Sequence, residues 1–444
     1  MLRCSSCRTY LCSRCTYRTC GQQAGPPWRS GNSRSAGGWV DRVFYVLRPR
    51  LLFDSRCLTT YTETVTDARL ISREGSNIVV QQEVAEKKRR VRTVLGEHSL
   101  DAIYLKTQSN FCWLTGGGLN VVGITMETGV AGLLLTPERE YLICSNIEVP
   151  RMRDEERLEE QGYQIHAFPW YDDQEASLVR ELAGGNAIGA DYPLAGTVNV
   201  SATVNPLRYS LTEWEVERYR EVGRLTAAAI EDAAATIRPG DRECMIVGRL
   251  AERLWAERLD YITTFCAADE RIADYRHPIA TDRKIEKRAM LCVNARKWGL
   301  IISLTRFVQF EPVSAELRRR YDANVRIDCG MMANTVPGKP AVEAFRRGLQ
   351  LYAETGFPDE YRLHHQGGSI GYVGRDYKVN QNTTEVVQEN QGFAWNPSIT
   401  GSKSEDTILA TTGGPLMLSP PVTFPTMKIE VDGCAFVRPD ILIM

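Results

Sequence analysis

Thr212 and Glu215, spaced as T-x-x-E, stand at the head of a long helical period, and no other feature of the sequence restricts the fold as strongly. A threonine hydroxyl can accept from the backbone N–H three residues on, while the glutamate reaches back, so the pair fixes where a helix starts. Val222, Leu225, Ala229 and Ile237 then fall on one helical face. The segment Arg238-Pro-Gly-Asp ends that helix, and Ile246, Val247, Leu250 and Leu254 mark a second. From Tyr261 onward the apolar runs are short and are separated by Gly, Pro and charged turns. Two helices followed by many short strands predict an α+β domain with a curved antiparallel sheet over residues 210–444.

Upstream, order is expected from about Val84. Val91, Val94 and Leu95 lie at helical spacing, and the basic run Lys87–Arg90 beside them reads as a solvated helix face. "DAIYL" reads as a strand, and "VAGLLLTPEREYLICSN" as two strands joined at the turn marked by Pro137. A helical stretch and "AIGADYPL" follow, so residues 84–205 read as an α/β domain.

Charge narrows the function. The chain carries 54 Lys and Arg against 55 Asp and Glu, a net charge of -1. That balance excludes the clustered basic excess of nucleic-acid and membrane-surface proteins, and no apolar run is long enough to span a membrane. Among the 13 cysteines, Cys4, Cys7, Cys12 and Cys15 give C-x2-C-x4-C-x2-C, whose central gap is too short for a ribbon-type zinc site. The cysteines beyond residue 20 are scattered singly among apolar neighbours, which fits a reducing, cytoplasmic setting. Residues 1–40 contain 6 Arg and no acidic residue. Residues 1–80 are therefore set aside as a disordered or spurious N-terminal extension, whether a transit peptide or the product of a misassigned start.

The stretch "HHQGGSIGYVGRDY" from His364 to Tyr377 invites a metal reading. In an extended segment, however, adjacent side chains point to opposite faces, so His364 and His365 are not expected to share an ion, and at most one faces a cleft.

Four segments in order, "DYRHPIATDRKIEKRAMLCVN", "KWGLIISLTRFV", "HHQGGSIGYVGRDY" and "FAWNPSITGSKSEDTILAT", resemble the creatinase, Xaa-Pro aminopeptidase and methionine aminopeptidase family. "SNFCWLTGG" looks like the N-terminal domain of its two-domain branch, and the resemblance covers about residues 85–444. It implies a C-terminal pita-bread domain preceded by a smaller α/β domain, a C–N hydrolase activity and a homodimer. Metal-dependent members hold two divalent ions with two Asp, one His and two Glu, and here those positions depart from the pattern. Ser303 stands where the second Asp would be. The first falls eleven residues earlier at Cys292, or at Asn294 if the hairpin is shorter. Gly368 takes the place of the histidine, and Asn396 that of the Glu in a Glu-Pro pair. Only Glu405 survives. One carboxylate with neutral Asn and Ser cannot compensate two desolvated divalent ions, so no metal and no other cofactor is expected.

Creatinase itself works without metal through a histidine, and the resemblance places that role at His277. An imidazole can take and return a proton near neutral pH. A histidine bonded to a backbone carbonyl is the bland alternative. Glu405 is assigned with it to the reaction, to orient the reacting group or bind an amine, unless Lys403 merely neutralises it. Arg375 stands at the family's distal substrate-binding position and suits a carboxylate clamp, unless it pairs with Asp376. His364, Asn396, Ser303 and Cys292 complete the expected substrate-contacting set. The sequence thus points to a metal-independent, histidine-based hydrolase of a small amide or dipeptide-like molecule, with no nucleic-acid or membrane partner. True Xaa-Pro peptidase activity and an inactive binding or regulatory protein on the same fold are the alternatives.

Overall fold

The computed structural model describes residues 73–444, with side chains from Gln81 onward. The readings of residues 1–80 and of the N-terminal cysteines lie outside the described residues, save that a helix already runs over Arg73–Glu97. Val91, Val94 and Leu95 of that helix are buried, as their spacing predicts.

The basic run beside them is not a solvated face, which corrects the expectation. Lys87 is wholly buried, Lys88 is 6% exposed, and only Arg89 of the four is exposed. The Lys87 ammonium lies 2.5 Å from Glu83 and 2.7 Å from Glu215, and it donates to the Trp113 carbonyl at 2.8 Å. Lys88 donates to the Gln161 carbonyl at 2.6 Å and sits over the Tyr163 ring. Most of these partners lie far along the chain, so no local period reveals them.

The first sheet has six strands in the order Gln164–Phe168, Glu140–Ser145, Thr128–Leu135, Ala102–Thr107, Ile188–Ala190 and Val198–Asn199. Its central hairpin pairs are antiparallel and its outer pairs parallel, the mixed pattern of an α/β layer. The core beneath it is continuous with that of the C-terminal region.

The helix Glu213–Ala235 begins with the reciprocal capping box of Thr212 and Glu215. It lies on the strand Leu300–Gln309, where the Tyr219 hydroxyl donates to the Ile301 carbonyl at 2.6 Å. That strand belongs to a four-stranded sheet with Arg288–Lys297, Asp260–Ala268 and Leu442–Ile443. A five-stranded sheet of Tyr377–Lys378, Gly367–Ser369, Gln391–Trp395, Asp406–Ala410 and Leu416–Met417 lies against it. Alternate residues of the first strand bridge the two sheets. Ile301 N donates to the Gly371 carbonyl, Ser303 N to Thr407 Oγ1 and Thr305 N to the Glu405 carbonyl, at 2.8–3.0 Å. This register sets the side chains of Ser303 and Thr305 against Glu405.

Two further helices, Ala315–Ala333 and Val342–Glu354, form where the sequence reading expects only short strands; the first packs on the strands Gln391–Trp395 and Ser402–Lys403, and the second packs on the first. Asn324 and Asp328 are wholly buried on the first of these helices and interrupt its apolar stripe. Asp328 accepts from Arg438 at 2.6 Å, so a buried ion pair fills positions where a helical period calls for apolar residues.

Candidate active site

Glu405 is the fixed point of the cleft. Its carboxylate accepts from Ser303 Oγ at 2.7 Å, Thr305 Oγ1 at 2.9 Å, Lys403 Nζ at 2.6 Å and Arg375 Nη2 at 3.4 Å. Burial alone would raise its pKa, but Lys403 and Arg375 override it and hold the carboxyl down at about 2. The Lys403 ammonium also reaches Cys292 Sγ at 3.6 Å. Arg375 does not pair with Asp376, which bonds Arg208 at 3.0 Å; its Nη1 donates to the Gly374 carbonyl and its buried Nε has no partner.

The hairpin register decides between the two sequence alternatives for the vacated first position. Asn294 lies directly opposite Ser303, its Oδ1 2.8 Å from the hydroxyl oxygen, whereas Cys292 lies opposite Thr305, its Sγ 3.2 Å from that hydroxyl oxygen. Asn294 therefore shares the Ser303 site, in a hairpin two residues shorter than the eleven-residue spacing implies. At Gly368 a Cβ would meet the Tyr377 carbonyl oxygen at 2.1 Å, so the backbone leaves no room for any side chain. Asn396 is buried, with its Oδ1 unpaired.

These residues do not fit a pair of divalent ions. The surviving carboxylate is already neutralised by an ammonium and a guanidinium, and the other positions offer neutral oxygen or nothing. Accordingly, the double substitution Asn294→Asp with Ser303→Asp is expected not to restore a two-ion centre, because position 368 cannot carry an imidazole. Calorimetric titration with Mn2+ giving two ions per chain in that variant would overturn this.

Strand alternation predicts that His364 and His365 diverge, and the structure overturns it. The short helix Glu360–Leu363 ends at His364 and the next strand begins only at Gly367, so the pair lies in neither element. The rings of His364 and His365 lie 4.5 Å apart, and the His277 ring is 5.0 Å from the first and 5.8 Å from the second. His277 Nε2 lies 3.2 Å from His364 Nε2. Burial, reinforced by neighbouring cations, pushes the imidazoles down, His364 to about 2 and His365 to about 4, with His277 shifted the same way.

A cavity of about 260 Å3 gathers His277, Cys292, Arg375, Asn396 and Glu405 of the expected set. Ser303 stands behind Glu405, and His364 lies behind His277, outside the lining. The sequence reading missed His365 as a lining residue and Thr305 as a donor to Glu405. The alternation of Ser303 and Thr305 on one strand face was the available signal for the latter. Gly374 also lines a larger hollow of about 740 Å3, bounded by Gln108, Tyr261, Arg296 and Tyr372.

Residues 87–201 match the creatinase/prolidase N-terminal domain, and residues 217–412 match metallopeptidase family M24. A Xaa-Pro dipeptidase from Pyrococcus horikoshii is 21% identical over 350 residues, which is 74% of this chain and 95% of the relative. The solved prolidase of the same organism has a TM-score of 0.64 at 18% identity, covering 76% of this chain and 99% of that one. A Xaa-Pro dipeptidase from Bacillus anthracis gives 0.65 at 19%, covering 81% and 100%. The N-terminal domain of FACT complex subunit SPT16 from chickpea gives 0.60 at 12%, covering 78% and 97%. At these identities the solved structures share the fold.

Proposed function

Because the chain belongs to the creatinase and Xaa-Pro peptidase family of hydrolases, with a pita-bread domain behind a smaller α/β domain, we propose that it hydrolyses the C–N bond of a dipeptide-like substrate without the family's two-ion centre. The relatives favour a Xaa-Pro dipeptide over an arbitrary small amide as that substrate. The observation that carries the proposal is the convergence of His277, Arg375, Asn396 and Glu405 on one cavity although the metal-ligand set is gone.

Each group has a distinct capacity there. Glu405, held as an anion by four donors, does not take a proton from water; it fixes the charge and position of Lys403 and Arg375. Water activation falls to the imidazoles, which burial keeps neutral, and His277 is the most exposed of them. Arg375 lines the cavity, and its guanidinium keeps N–H groups beyond those given to Gly374 and Glu405 for a substrate carboxylate.

Screening Xaa-Pro dipeptides, small amides and guanidino compounds against the purified protein tests the proposal. Turnover of the dipeptides is the expected result. Tight binding of a dipeptide with no turnover of any compound establishes the second reading, a binding module, which the saturation of Glu405 favours. With a substrate in hand, Arg375→Ala is expected to raise KM about 10- to 100-fold, the loss of one charged hydrogen bond, with little change in kcat. An unchanged KM removes Arg375 from substrate binding.

The same proposal makes the protein a cytoplasmic homodimer. In its favour, the described cysteines are free and five of the seven are buried, and no described helix is long and apolar enough to cross a membrane.

A further inference from the structure

The three histidines at the cleft form a second constellation, distinct from the positions the family would use for metal. One ligand nitrogen from each of His277, His364 and His365 lies within 4.8 Å of the others. The separation of His277 Nε2 and His364 Nε2, 3.2 Å, matches the edge of a tetrahedron whose metal–nitrogen distance is about 2.0–2.1 Å. Without an ion, that contact can hold only one proton between two ring nitrogens. With one, both lone pairs have an acceptor.

Two observations beyond the clustering point the same way. His364 Nδ1 faces Ser398 Oγ at 3.4 Å, a contact that engages Nδ1 away from the cluster and aims Nε2 at His277. His365 Nδ1 is buried with no hydrogen-bond partner at all.

We propose that His277, His364 and His365 bind a single divalent transition metal, Zn2+ or an ion of similar preference, with the fourth position open to the cavity. Three neutral nitrogens and no carboxylate select a borderline ion over Mg2+, Ca2+ or Mn2+. His277 and His365 both line the cavity, so the open position faces substrate. Lys403 and Arg375 nearby leave the surroundings positive, which favours hydroxide or a substrate carboxylate as the fourth ligand. The proposal rests on the hydrolase reading of the cleft and replaces its expected freedom from metal: with an ion bound, His277 would act as a ligand and the ion, in place of a free imidazole, would activate water, but the test does not depend on turnover.

The full chain, stripped with a chelator, would be titrated with Co2+ and followed by visible absorption and by calorimetry. The expected result is one nitrogen-ligated tetrahedral ion that is lost in His277→Ala and in His365→Ala. Ser398→Ala should weaken it about 10- to 100-fold, as for a lost outer hydrogen bond to a ligating histidine. Any thiolate-bound Co2+ on the N-terminal cysteines shows sulfur charge-transfer bands and stays in every variant, so the difference spectrum isolates the cleft. His277 is exposed, so the variant at that position tests the site even if the others fail to fold. Equal tetrahedral Co2+ binding in wild type and His277→Ala overturns the proposal. Binding of the ion without any turnover leaves this site standing and removes the hydrolase reading instead.

Discussion

Replacing Lys87 with methionine is expected to cost the fold about 3–5 kcal/mol, the penalty for removing one partner of a buried ion pair. Its ammonium is wholly enclosed, and Glu83 and Glu215, also wholly buried, lie 2.5 and 2.7 Å from it. Glu83 keeps Arg218 at 2.7 Å, but Glu215 is left with no cation among its contacts, only Thr212 and the hydroxyl of Tyr372. The methionine matches the stem in volume, so the loss measures uncompensated charge more than packing. The pH dependence supplies a check on sign. Burial raises the Glu83 pKa, but Lys87 and Arg218 outweigh it and lower the carboxyl to about 2 from an unfolded value of 4.5. A depressed carboxyl stabilises the fold above the unfolded pKa and loses that contribution as pH falls toward 2. Urea unfolding should therefore show the largest gap between wild type and Lys87→Met near pH 7, narrowing in acid. A variant within 1 kcal/mol of wild type at pH 7 would show that this network does not hold the first helix to the helix Glu213–Ala235.

The parts of this molecule that were legible in its sequence are those decided by near neighbours. The Thr212–Glu215 box is a contact over three residues and forms as its spacing predicts. Lys403 and Glu405 are two residues apart, face one side, and pair at 2.6 Å. The illegible parts depend on distant partners. The two lysines of the basic run are buried because Lys87 meets Glu215 and Lys88 meets Gln161, and a periodicity argument weighs only the helix itself. The helix Ala315–Ala333 hid behind buried Asn324 and Asp328, which sit among apolar positions because Ser402 and Arg438 wait for them elsewhere in the chain. The histidine trio escaped for a geometric reason: alternation assumes a regular strand, which begins only at Gly367, and His277 comes from 87 residues earlier. The choice between Cys292 and Asn294 turned on hairpin length, which spacing alone leaves open and strand register decides.

His277→Ala is expected to lower turnover of an active substrate by about 10²–10⁴, the usual span for a lost proton-transfer group and equal to about 2.7–5.5 kcal/mol of barrier. The effect belongs to the chemistry and not to the fold. His277 is exposed, in the loop between the helix Arg271–Asp274 and the strand Arg288–Lys297, and its removal should leave unfolding within about 0.5 kcal/mol of wild type. Kinetics of the variant on the best Xaa-Pro dipeptide, with stability measured in parallel, check both halves of the expectation. Of the other groups at the cavity, only the His365 imidazole could stand in for it. Glu405 is a carboxylate locked by four donors, and Lys403 is held as an ammonium by that same carboxylate. Cys292 stays a thiol because burial pushes its pKa up against the pull of Lys403, so it attacks poorly as a nucleophile. A wild-type rate from His277→Ala would mean that the hydrolytic water is activated elsewhere. Loss of that residual rate on alkylating Cys292 would then mark the thiol, despite its burial, as the group that carries the reaction.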